Sequence, residues 1–242
     1  MTHVVAGYPT VAECTQLLFG MQAAGVYAIE IQIPFSDPGA DGPTIMKAND
    51  IALGNGMTIN ACFELINESR QKGLSTPIYI VSYANKLFHF GIKQFCEEAK
   101  QCHVTGLIIP DLPFDTPEYQ ELSDICIELR IELVPVLSPG MSLSRLQAYT
   151  IKRHKILYIT SKRGITGKEL VVTAELVELV KKIRAVSSAQ LALGFGIRTP
   201  ADVKTALNIA DIAVIGSGVI DIIERSGTIN ATNYVASLTS QP

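Results

Sequence analysis

A carboxylate set into an apolar run is the first feature with chemical meaning. From Ala28 to Ile33 residue types alternate, so an extended strand puts Glu30 and Gln32 on one face and Ile29, Ile31 and Ile33 on the other. With the isoleucines toward a covering layer, Glu30 points into an apolar interior, and a carboxyl group placed there can carry protons near neutrality. The position would equally suit a Glu paired with a buried Lys or Arg. A Pro-rich segment follows, holding Asp37 and Asp41, and Asp is also common there simply as a turn former. Farther along, glycines cluster three times, in Gly164-Ile165-Thr166-Gly167, Gly194-Phe195-Gly196 and Gly216-Ser217-Gly218. Glycine lets backbone N–H groups approach an anion closely, so three such clusters at strand ends predict a phosphate ligand. Ser217 has no nearby His–Asp partner in the sequence and reads as a phosphate contact rather than a nucleophile. The histidines His3, His89, His103 and His154 are isolated, are expected at the surface or between helices, and predict no metal site.

These residues need a scaffold. Short Val, Ile and Leu runs predict strands near His3–Ala6, Tyr27–Ile31, Ile78–Val81, Gly106–Ile109, Glu132–Leu137, Ile156–Ile159, Gln190–Gly194 and Ile212–Ile215. Helical periodicity predicts Val11–Gly25, Thr58–Lys72, Gly91–Cys102, Pro117–Leu129, Leu143–Thr150, Ala174–Val186 and Pro200–Asn208. Thr10 with Glu13 reads as a capping box, and Thr116-Pro117 and Thr199-Pro200 place a capping oxygen before a proline suited to the first helical position. Strands apolar on both faces, alternating with helices, predict a single α/β domain over residues 1–242, a (β/α)8 TIM barrel. An open doubly wound sheet would want Gly-x-Gly-x-x-Gly after its first strand, where this chain has Ala6-Gly7-Tyr8-Pro9-Thr10. Two connections are long, from Pro34 to about Met57 and from Ser161 to about Val172, and in a barrel both emerge at the face where active sites sit.

Composition narrows the function classes. Of 242 residues 48% are apolar and 18% charged, with mean hydropathy +0.27, which excludes a disordered chain. The 20 basic and 23 acidic residues are interspersed, arguing against a nucleic-acid or polybasic membrane surface. No apolar run reaches the ~18 residues of a membrane span. The opening Met1-Thr2-His3-Val4-Val5-Ala6 shows no signal peptide, and five scattered cysteines fit a reduced cytoplasmic setting, as small core fillers.

The segment from Ile29 to Ile45 (IEIQIPFSDPGADGPTI) resembles the signature of the tryptophan synthase alpha chain family. So do Ala6-Gly7-Tyr8-Pro9-Thr10, Tyr83-Ala84-Asn85, Ile109-Pro110-Asp111-Leu112-Pro113, Ser161 through Gly167, Gly194-Phe195-Gly196-Ile197 and Gly216-Ser217, in collinear order over the chain. The resemblance implies retro-aldol cleavage of indole-3-glycerol phosphate to indole and glyceraldehyde 3-phosphate, late in tryptophan biosynthesis. Glu30 and Asp41 match the family's catalytic carboxylates. Tyr158, Thr166, Gly167, Phe195, Gly196, Gly216 and Ser217 match positions that bind substrate or its phosphate. It also implies an alpha2-beta2 heterotetramer with a beta subunit, which alone carries pyridoxal phosphate; no cofactor is expected in this chain.

Three departures stand out. The family's helix before the first strand is not expected here, because Met1 almost opens that strand. Gln32 replaces the usual glycine, where its amide is expected to crowd the indole pocket. Lys162 stands where the family has Arg, a planar bidentate donor. These differences raise an alternative: a weakly active or inactive alpha-like chain that acts as an allosteric partner of the beta subunit.

Overall fold

The computed structural model describes residues 1–151, 154–160, 171–194 and 196–240, with the backbone alone at 143, 150 and 151. The first half runs β1 (Thr2–Val5), α1 (Val11–Ala23), β2 (Ile29–Gln32), α2 (Pro43–Gly54), α3 (Ile59–Gln71), β3 (Ile78–Val81), α4 (Ala84–Phe90) and α5 (Ile92–Gln101). There follow β4 (Gly106–Ile108), α6 (Pro117–Leu129), β5 (Glu132–Leu133), β6 (Val136–Leu137) and α7 (Leu143–Ile151). The last part is β7 (Ile156–Thr160), α8 (Ala174–Val186), β8 (Gln190–Gly194), α9 (Pro200–Leu207), β9 (Ile212–Ala213) and α10 (Ser217–Thr239). All strand pairs are parallel, in the orders β1-β2-β3-β4-β5 and β6-β7-β8-β9. The ring closes where His3 N donates to Ile215 O at 2.9 Å and Ile215 N to Met1 O at 3.0 Å.

The expected fifth strand, Glu132–Leu137, is divided in two, with Val134 and Pro135 between β5 and β6. Proline has no N–H to give to a ladder. Neighbouring bonds still bridge the gap, since Val134 N donates to Leu107 O and Tyr158 N to Pro135 O, both at 2.9 Å. The barrel is therefore continuous.

Alternation along the strands sorts side chains into two apolar regions. Ile29, Ile31, Ile78, Ile80, Leu157, Ile159, Leu191 and Leu193 pack outward against the helices. Ala28, Tyr79, Val81, Ile108, Ile156, Ala192, Ile212 and Val214 fill the barrel interior, with Tyr158 packed against them. Threonine caps start the helices that the sequence marks. Thr116 accepts from Tyr119 N, and Thr199 with Asp202 forms a complete capping box. At Thr10 the expected box is half made: its hydroxyl accepts from Glu13 N, but the Glu13 carboxylate accepts from that same hydroxyl.

Three helices go beyond the expectation, the short α4 among them. The connection from Pro34 to Met57 contains α2, begun by Pro43 at the first helical position after Gly42. The chain beyond the last strand forms α10, whose apolar rhythm is broken by a non-helical Gly227 at φ 81°. Of the loop expected from Ser161 to Val172, residues 161–170, Lys162 among them, lie outside the described residues. All five cysteines are buried and free, and burial pushes the Cys14 thiol up to about 11. No helix among the described residues is long and apolar enough to cross a membrane.

Candidate active site

At the C-terminal ends of the strands a cleft of about 710 Å3, counted to its open mouth, is lined by residues from across the barrel. Glu30 and Gln32 project into it from β2, both buried, as strand alternation requires. Asp41 reaches it from the loop ahead of α2, and Tyr158 from β7. Gly196, Gly216 and Ser217 line the opposite part. Thr166, Gly167 and Phe195 lie outside the described residues. Asp37 is exposed and accepts the Ser36 hydroxyl at 2.6 Å, so it organises the loop away from the cleft.

Among the described residues Glu30 has neither a Lys nor an Arg partner. Its Oε2 lies 3.1 Å from Nδ1 of His3, and the two side chains are only 3% and 7% exposed. His3 was expected at the surface or between helices; it is an interior residue of the site. The expectation failed because His3 sits on β1 directly in register with Glu30 on β2, a neighbour relation made by strand pairing.

Asp41 is held from two sides at one oxygen. Its Oδ2 accepts from Gln32 Nε2 at 2.8 Å and from the Tyr83 hydroxyl at 2.9 Å. Gln32 Nε2 also lies 3.2 Å from Oδ1 of Asn49, which accepts Phe35 N at 2.9 Å. The expected crowding by Gln32 thus has a specific form: the amide is drawn to the wall, where it ties β2 to Asp41 and α2. Asn49 and Tyr83 were missed as site residues. Tyr83 stands in a motif with no obvious chemistry, and Asn49 in a segment expected to be loop.

Burial pushes the Asp41 carboxyl above its ordinary 3.8, opposed by His3, Gln32 and Tyr83 and reinforced by the negative charge of Glu30. Burial also raises Tyr83 and Tyr158 well above 10.0, with the site carboxylates adding to the effect, so both phenols remain protonated.

The three glycines have different reasons. A Cβ on Gly194 would lie 2.1 Å from the Tyr158 hydroxyl oxygen, so this glycine makes room for the tyrosine. Gly196 has φ +83°, which favours glycine for backbone reasons. Gly216 has neither constraint: among the described residues a Cβ there would meet nothing nearer than His3 Cβ at 3.7 Å. Gly194→Ala should therefore overpack the barrel by about 1–3 kcal/mol, read as a lower midpoint in thermal denaturation. The Tyr158 ring carbons Cζ and Cε1 would also lie at 2.6 and 2.7 Å, so the loss should shrink in a Tyr158→Leu background; an equal loss there would show that Tyr158 is not the obstacle.

Gly216 precedes α10, whose first turn holds the buried Ser217. Unpaired N–H groups and the helix dipole make such a start attractive to anions. Arg198 fixes this corner, donating from Nη2 to Ser217 Oγ at 3.2 Å and from Nη1 to Asp221 at 2.5 Å. The other Asp221 oxygen accepts from Thr44 at 2.9 Å, tying the start of α2 to α10.

A family model described as tryptophan synthase alpha chain matches residues 1–241. Among curated relatives, the tryptophan synthase alpha chain of Desulfotalea psychrophila is 35% identical over 240 residues, covering 98% of this chain and 92% of its own. That of Desulforapulum autotrophicum is 34% identical over 238 residues, covering 98% and 93%. Among solved structures, Mycobacterium tuberculosis tryptophan synthase superposes with a TM-score of 0.91 at 26% identity, covering 99% of this chain and 90% of that one. A mutant alpha-subunit from Pyrococcus furiosus gives 0.88 at 28%, covering 99% and 97%. With a closed parallel barrel, two buried carboxylates in its mouth and a family match along nearly its whole length, this chain belongs to the tryptophan synthase alpha chain family.

Proposed function

We propose that the chain, acting as one domain, is a carbon–carbon lyase that cleaves indole-3-glycerol phosphate to indole and glyceraldehyde 3-phosphate. The observation that carries this reading is the meeting of Glu30 and Asp41 in one cleft that also takes in Gly216 and Ser217. Glu30, entering protonated, gives its proton to ring carbon C3, which makes the ring cationic, and its carboxylate then takes the proton of the side-chain hydroxyl next to the ring. The carbon–carbon bond breaks as that oxygen becomes the aldehyde carbonyl and the bonding electrons neutralise the ring, leaving Glu30 protonated again. No proton is gained or lost overall. Asp41 accepts the indole N–H and stabilises positive charge on the ring as it develops, a role for its ionised form. Tyr158 lines the ring pocket, while Gly196, Gly216 and Ser217, with Thr166, Gly167 and Phe195, contact the phosphate end.

The reading includes a cytoplasmic alpha2-beta2 assembly in which pyridoxal phosphate belongs to the beta subunit. Its test is indole release from indole-3-glycerol phosphate by the purified chain, with and without beta. A second reading, an activator of beta with little lyase activity of its own, is favoured by the Gln32 amide on the Asp41 oxygen. Stimulation of beta without indole release would establish the second and exclude the first.

The phosphate corner has its own test. Glycerol phosphate should raise the thermal midpoint of the wild type by mass action and not that of Gly216→Val, whose side chain would fill the anion's space. Among the described residues no atom comes nearer than 3.7 Å to a Cβ at that position, so the variant should fold. An unchanged ligand shift in Gly216→Val would place the anion elsewhere.

A further inference from the structure

Glu30 and His3 form a pair at the centre of the cleft, each with one engaged polar atom and one without a partner. Oε2 of Glu30 meets Nδ1 of His3, while Glu30 Oε1 and His3 Nε2 have no hydrogen-bond partner among the described residues. An unpartnered buried carboxylate oxygen costs free energy unless a ligand satisfies it. When Glu30 is ionised, the donor in this contact must be Nδ1–H, which settles the imidazole tautomer and leaves Nε2 without a proton in the neutral ring.

We propose that His3 is a positioning residue for the proton transfer: by occupying Oε2 of Glu30 it confines the travelling proton to Oε1. The inference rests on the lyase reading above. In that reaction Glu30 gives a proton to ring carbon C3 and then accepts the hydroxyl proton. A carboxylate free to rotate could take the proton on one oxygen and present the other. With Oε2 engaged by Nδ1–H, pick-up and delivery use one oxygen in one orientation, which is what proximity and alignment reward. The strand register enforces this, because His3 and Glu30 are direct neighbours on the inward faces of β1 and β2. A further consequence is electrostatic. While Glu30 is ionised the imidazole N–H steadies its charge, and once Glu30 is protonated that stabilisation is weaker, which favours return of the proton.

Other titratable groups face the pair. Asp41 approaches from the loop after β2, Tyr83 from the end of β3 and Tyr158 from β7. On the β1 side the α-amine of Met1, lowered to about 6 by burial, feels the Glu30 charge.

The test compares wild type, His3→Leu and His3→Asn in the alpha–beta complex. His3→Leu keeps side-chain bulk and loses the donor. His3→Asn keeps a neutral amide donor near the place of Nδ1. The expected result for Leu is a drop in kcat of about 10- to 100-fold, the range of a lost hydrogen bond to a charged group, with KM within about threefold. Asn should restore most of that rate. In 15N NMR, the wild-type imidazole should carry its proton on Nδ1, and Glu30→Gln should shift that resonance. Wild-type kcat in both His3 variants would overturn the proposal, as would an imidazole indifferent to Glu30→Gln. Should His3→Leu fail to fold, His3→Asn and the NMR comparison decide. If the wild type releases no indole even with beta, the lyase reading fails, and the NMR experiment alone reports whether the pair exists.

Discussion

Glu30→Gln is expected to abolish nearly all indole release, by at least the ~10²–10⁴-fold of general acid–base catalysis, and to leave the barrel folded. The amide matches the carboxylate in shape, and its oxygen can accept from His3 Nδ1 as Oε2 does at 3.1 Å, so the local geometry survives. What disappears is the ability to give a proton to carbon and take one from the hydroxyl. With size and the His3 contact kept, a thermal midpoint near that of the wild type is expected alongside the lost turnover. Indole release near the wild-type rate by a folded Glu30→Gln chain would remove Glu30 from the mechanism.

Asp41→Asn is expected to lower kcat by roughly 10²–10³-fold while changing KM little, because an ionised partner matters most as positive charge builds on the indole ring. A change confined to KM would contradict that role. The same residue gives a pH prediction with a definite sign. Burial raises the Asp41 carboxyl above 3.8, so as pH rises the unfolded chain releases this proton before the folded one does. Between the ordinary and the raised value the folded state holds more protons, and Asp41's contribution to stability falls with rising pH, levelling off above the raised value. Asp41→Asn lacks this contribution. Compared across acidic pH by thermal denaturation, the variant should gain on the wild type through that window. Wild-type turnover, which needs the ionised form, should fall on acidification before pH reaches 3.8. Equal stability differences at every pH would show that Asp41 is not held as described.

By itself, the sequence determined the alternation and the strongest motifs. The isoleucines at 29, 31 and 33 are enough to send Glu30 and Gln32 inward, because neighbouring side chains on a strand face opposite ways whatever the strand pairs with. The same local logic marked the starts of α6 and α9, since a cap and a proline act within one turn. Local signals failed where partners are distant. The helix α2 was hidden in a Pro- and Gly-rich connection, and α10 by a glycine that breaks its rhythm. His3 is one of four isolated histidines in the sequence; only the β1–β2 register sets it against Glu30. Gln32 has a side chain long enough to enter the cleft or lie along its wall, and the carboxylate of Asp41 and the amide of Asn49 draw it to the wall. Gly194 and Gly216 look alike in the sequence. The first is required by a tyrosine on the adjoining strand and the second by no atom of the described residues, a difference that exists only once the barrel closes and decides which side chains share its interior.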